Sequence, residues 1–107
     1  MTTFDEREQG FEAKFIHEQD MEFRIKARRN HLLGVWAGGL MGLAGDGLAH
    51  YAEALMGVDV TNPGDDHLLK KIDDDLSAAK VDQSADDIRA KMDQLMIVAK
   101  REITTGE

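Results

Sequence analysis

Arg24, Lys26, Arg28 and Arg29 crowd into one short stretch, followed at once by Asn30 and His31 and with no carboxylate among them. Guanidinium groups clustered in this way can hold an anion through paired N–H donors. Trp36 falls seven positions after Arg29, on roughly the same side of a helix, where its ring would offer a planar ligand an apolar wall. Arg24, Arg28, Arg29, Asn30 and Trp36 are therefore the candidate residues for an anionic ligand, and their spacing does not choose a nucleotide over a carboxylate. The same cations have a structural alternative, since Arg24, Lys26 and Arg28 can pair with Glu18, Asp20, Glu22 or with acids of later helices.

No other cluster has the spacing of a reaction centre. Asp73-Asp74-Asp75 looks suited to a metal, but consecutive helix positions point ~100° apart, so three adjacent carboxylates cannot converge on one ion. The alternating acids and glycine of a calcium loop are missing there. A di-iron bundle needs Glu-x-x-His pairs, whereas Lys14, Arg28, Gly47 and Gly64 stand three before His17, His31, His50 and His67. The chain has no cysteine, no His-Glu-x-x-His and no phosphate-binding Gly-x-x-x-x-Gly-Lys loop, so we expect a protein that is not an enzyme and holds no metal.

The elements that must position the basic stretch are helical. With 107 residues the chain makes one domain with a small core. Few β-branched residues and abundant helix formers predict an all-α protein. Helix 1 is expected from about Asp20 to Leu43, with Ile25, Leu32, Leu33, Trp36, Leu40 and Leu43 on one face and Gly34, Gly38 and Gly42 on another, where a second backbone could come close. Gly38-Gly39 leaves the end of that helix open. Helix 2 follows from about Asp46 to Met56, with Asp46 accepting from its first N–H groups and Leu48, Tyr51, Ala52 and Leu55 facing inward. Thr61-Asn62-Pro63-Gly64 breaks the chain. Helix 3, about Asp65 to Lys80, buries Leu68, Leu69, Ile72, Leu76 and Ala79. Helix 4 opens at Ser84 with a near capping box and carries Ile88, Met92, Leu95, Met96, Ala99 and Ile103 as its stripe.

The front of the chain differs in kind. All four phenylalanines, Phe4, Phe11, Phe15 and Phe23, lie in its first 23 residues beside seven acids. Phe4, Phe11 and Phe15 share one side of a helix, but Glu18 and Glu22 interrupt that side. Such a stripe buries too little to offset backbone ordering at ~1–2 kcal/mol per residue. We expect residues 1–18 to form a mobile arm with helical tendency, whose rings either rest on the body or enter a partner's groove. Residues 19–104 form the body. The net charge of −8 disfavours nucleic acid. The uncharged run from Leu32 to Gly45 falls short of the ~20 residues needed to span a bilayer, so no direct membrane insertion is expected. An acidic start without an apolar export signal points to the cytoplasm.

Arg28-Arg29-Asn30-x-Leu32-Leu33-Gly34-x-Trp36-Ala37, preceded by Phe4-Asp5-x-Arg7-Glu8-x-x-Phe11-Glu12-x-Lys14-Phe15 and followed by Tyr51-Ala52, resembles the alpha-proteobacterial ATP synthase inhibitor subunit zeta family. The likeness covers nearly the whole chain, departing from the pattern at Gly38-Gly39. It implies a four-helix bundle with a flexible or partly helical N-terminal arm, one that wedges at an α/β catalytic interface of the F1 sector, near the γ rotor, and blocks ATP hydrolysis. Carried over by position, the arm's working residues would be Phe4, Asp5, Arg7, Glu8, Phe11, Glu12, Lys14 and Phe15. The resemblance further implies ADP or ATP as a regulatory ligand, with no cofactor required, a location peripheral to the inner membrane through ATP synthase, and a monomer when free. The alternative is a small acidic interaction protein, or a nucleotide-sensing helical one, that does not act on ATP synthase.

Overall fold

A computed structural model of the protein describes the backbone of residues 3–60 and 64–105, with side chains from Asp20 to Val60 and from Gly64 to Thr104. Among the described residues there are four helices: α1 (Thr3–Leu40), α2 (Gly45–Leu55), α3 (Asp66–Ala78) and α4 (Ala85–Thr105). There is no strand among the described residues. The all-α, four-helix expectation holds.

Helix α1 organises the rest. At ~1.5 Å per residue its 38 residues give a rod of about 57 Å. Strong helix formers (Glu, Gln, Arg, Lys and Ala) fill much of residues 3–18, and the backbone is helical there, the tendency expected of the arm. The side chains of Phe4, Asp5, Arg7, Glu8, Phe11, Glu12, Lys14 and Phe15 lie outside the described residues, as does the Thr61-Asn62-Pro63 break.

The C-terminal half of α1 packs mainly on α2 and α4, and α3 closes against α4. Leu33, Ala37, Leu55, Leu68, Ile72, Leu76, Ile88 and Met92 make the core, with Trp36, Tyr51, Leu69 and Leu95 against its edge. The inward faces expected of α2, α3 and α4 are largely those observed, although Ala79 is exposed. That of α1 is rotated. Leu40 and Leu43 are exposed, while Asn30, Leu33, Gly34, Ala37 and Gly38 are buried. The glycines are the reason. A Cβ on Gly34 would stand 2.6 Å from the Cα of Ala52, and one on Gly38 would stand 2.5 Å from a Leu48 methyl. The backbones of α1 and α2 approach so closely that the glycine side of α1 becomes an interior side.

Helix ends follow local chemistry, with two departures from expectation. Helix α1 runs through Gly38-Gly39 and stops at Leu40, not Leu43. Gly42 takes the left-handed conformation (φ 86°), and Leu43 N–H and Gly42 N–H donate back to Gly38 and Gly39. That pattern satisfies the last carbonyls. Asp46 does not cap α2: Ala44 is the N-cap, and Asp46 lies inside the first turn. Asp65 is the N-cap residue of α3 but makes no side-chain capping bond. Asp59, buried in the preceding loop with φ 58°, accepts from the backbone N–H of His67 and Leu68 at 2.9 and 3.2 Å, and lies 2.9 Å from the His67 ring. The expected cap at Ser84 forms, its hydroxyl accepting from Asp87 N–H at 3.0 Å.

Candidate functional site

The basic stretch divides into two faces of α1. On the inner face, Arg29 is almost wholly enclosed, its side chain 2% exposed. Its Nη2 and Nη1 donate to the two oxygens of Asp65 at 2.8 and 3.3 Å, and its Nε donates to Asn30 Oδ1 at 2.7 Å. Asn30 turns its amide to the end of α2, donating to the carbonyls of Leu55 at 3.0 Å and Val58 at 2.9 Å. These bonds fix the end of α2, the loop after it and the start of α3 to one turn of α1. A guanidinium can be buried here because a fork-shaped donor meets two carboxylate oxygens and an amide oxygen at once.

On the outer face, Arg24, Arg28 and His31 follow one another at helical spacing along the rim of a groove of about 690 Å³. Phe23 and Ala27 of α1, Ala49, Glu53 and Met56 of α2, and Ile103 of α4 line the rest. Arg24 pairs with Asp20 at 3.0 Å, and Arg28 Nε donates to Glu102 on α4 at 2.6 Å. Both pairs are well exposed, so each is worth at most about 1 kcal/mol and can be exchanged for another anion at little cost. The Nδ1 of His31 is enclosed and has no hydrogen-bond partner among the described residues.

The five candidate anion-binding residues therefore do not share one surface. Arg24 and Arg28 line the groove; Arg29 and Asn30 are turned inward; Trp36 packs against the core edge, with Lys91 Nζ 5.9 Å from its ring centre. Sequence reasoning missed His31, Glu102 and Asp59. Glu102 stands 74 positions from Arg28, and no local pattern links them. Asp59 could have been suspected as a carboxylate in the turn-rich stretch before a helix.

Two carboxylates of the Asp triplet are taken up by side-chain pairs. Asp74 accepts from Lys70, and Asp75 from Lys71, both at 3.0 Å and at the i,i+4 spacing. Asp75 also accepts from Tyr51 Oη at 2.7 Å, tying α2 to α3. Burial first, and then the Asp75 carboxylate, push the Tyr51 hydroxyl well above its ordinary pKa. Among the described residues no three His, Asp or Glu side chains gather as a metal site. No helix among them is long and apolar enough to cross a membrane.

Internal ties, a groove lined by apolar side chains together with Arg24, Arg28 and Glu53, and one long first helix describe a small four-helix protein among the described residues. The model of the family ATPase inhibitor subunit zeta matches residues 1–102, and the chain belongs to that family. Membership supports inhibitory regulation of ATP synthase and interaction with its F1 sector. No curated protein matches the chain.

Proposed function

We propose that the protein inhibits ATP hydrolysis by F1 through residues 1–18, which enter an α/β catalytic interface near γ. The family match over residues 1–102 carries this reading, because it takes in both the arm and the body. Phe4, Phe11 and Phe15 supply apolar anchors, Arg7 and Lys14 meet acids of the partner, and Asp5, Glu8 and Glu12 complete the contact. The continuity of α1 adds physical support: an arm that belongs to the same helix as the body is presented at a defined place, which lowers the ordering cost of docking. The protein acts as a monomer at the cytoplasmic face of the membrane, held there by ATP synthase. Deleting residues 1–15 should abolish inhibition of purified F1 and leave the helical circular-dichroism signal of the body intact. A truncated chain that still inhibits would overturn the role of the arm.

ADP or ATP is the regulatory ligand in this reading. Its phosphates would draw Arg24 and Arg28 from their exposed pairs, whereas Arg29 and Asn30 would first have to break their internal bonds. ADP titrated into the free protein should shift amide signals around Arg24 to His31; unchanged spectra would remove the ligand from the account.

A further inference from the structure

We propose that the last turn of α4 governs how the inhibitory arm is presented: Glu102 and Ile103 pin α1 where it leaves the core, and so keep the helix running outward into residues 1–18. Both are positioning residues that act through α1. This rests on the inhibitory reading and deepens it. Three observations carry it.

The first is where the core lets go of α1. Ala27, Arg29, Asn30 and Leu33 are buried, whereas no side chain from Asp20 to Lys26 is. The second is what stands at that boundary. Arg28 Nε donates to Glu102 at 2.6 Å, and Ile103, half-buried at the next position of α4, lines one groove with Phe23 and Ala27. Helix α4 ends there: Thr104 Oγ1 donates back to the carbonyls of Lys100 and Arg101 at 2.7 and 3.3 Å, and the helix closes at Thr105. The end of α4 thus accompanies α1 for about one turn beyond Ala27, to Phe23. The third is the continuation of α1. Arg24 pairs with Asp20 at 3.0 Å, the acid four places before the base, which is the order that supports a helix. The backbone stays helical from there to Thr3. Adding a residue to an existing helix is nearly free, with an equilibrium constant of about 1–1.6, whereas starting a new helix carries a factor of ~10⁻³. A turn pinned from Phe23 to Arg28 therefore lets the arm become helical by growth. Releasing the pin moves the starting point of that growth back toward Ala27, and the modest worth of an exposed pair keeps the effect to a few-fold.

The test follows amide hydrogen exchange in the full chain without nucleotide, and the onset of inhibition when the same chain meets purified F1. Glu102→Arg should speed exchange of the amides from Asp20 to Lys26 about threefold, the loss of one exposed pair, while those of Leu33 and Ala37 keep the parent rate. The reversed pair, Arg28→Glu with Glu102→Arg, should restore slow exchange. Ile103→Ala should act in the same direction, and Ile103→Val should recover most of the loss. With F1, Glu102→Arg should slow the onset of inhibition about threefold and leave the final level at saturating inhibitor unchanged. Unchanged exchange from Asp20 to Lys26 in both Glu102→Arg and Ile103→Ala would overturn the pin. Faster exchange with an unchanged onset would overturn its part in presenting the arm. Either result leaves the inhibitory reading standing so long as the parent chain inhibits F1 and loses inhibition with residues 1–15. A parent chain that does not inhibit F1 would overturn that reading, and the presenting role with it.

Discussion

At the scale of single residues, neighbouring members of one basic cluster carry opposite roles. Arg29 and Asn30 spend their donors inside the protein, so removing either strands desolvated partners. We expect Arg29→Ala to cost about 3 kcal/mol, since it leaves Asp65 without its bidentate partner. Asn30→Ala should cost about 2 kcal/mol through the unpaired carbonyls of Leu55 and Val58. Arg24→Ala and Arg28→Ala should stay within about 1 kcal/mol of the parent, because their pairs are exposed. Urea denaturation of the four variants checks this split; equal losses at all four positions would contradict it. Tyr51 supplies a pH signature. Its hydroxyl titrates higher in the folded chain than in the unfolded one, so the stability it contributes is fully present below the ordinary tyrosine pKa of 10.0 and drains away as pH rises through the raised folded value. Tyr51→Phe should lower stability at pH 8 by about 1 kcal/mol, for the lost bond to Asp75. It should also flatten the fall in stability between pH 10 and 11 relative to the parent, measured by the same denaturation experiment.

At the scale of elements, the closeness of α1 and α2 sets opposite expectations for two glycines five residues apart. Gly34→Ala pushes a methyl into the Ala52 backbone, which cannot yield as a side-chain tip can. It should destabilise by about 1–3 kcal/mol despite better helix propensity. A methyl added at Gly39 would meet nothing within 4 Å, so Gly39→Ala should stabilise by up to about 1 kcal/mol. Lys80 closes α3 in the left-handed region at φ 62°, with Val81 N–H donating back to Leu76, where glycine carries no steric penalty. Lys80→Gly should therefore raise the melting temperature, the gain being about 1 kcal/mol. Thermal melts of the three variants test these signs. The same elements show what could be read from the chain alone. Helix number, the ends of α2, α3 and α4 to within two or three residues, and the stripes of α3 and α4 follow from periodicity and turn residues, which are local. The buried side of α1 does not, because a run of glycines looks like a gap in a stripe until a second backbone is known to fill it. The candidate site was less legible: of the five residues grouped for an anionic ligand only Arg24 and Arg28 line the groove, and the inward turn of Arg29 and Asn30 depends on acceptors 25 to 36 positions away.

At the scale of the whole molecule, one long helix joined to three shorter ones separates reach from stability. The ties at Arg29 and Asn30, the core around Leu33 and Ala37 and the close approach at Gly34 all engage α1 beyond residue 26, so shortening the chain at its front should leave cooperative unfolding intact. A single sharp melting transition in the chain lacking residues 1–15, at a temperature within a few degrees of the parent, is the expected result. The enclosed clamp between α1, the loop after α2 and the start of α3 has a mechanical corollary. Tension applied lengthwise to the tip would reach bonds that must slide together instead of peeling open one by one. Arg29 stands 14 residues beyond Phe15, so a turning shaft that tugged on this inhibitor would meet its stiffest resistance about 21 Å behind the bite, in a joint shielded from water.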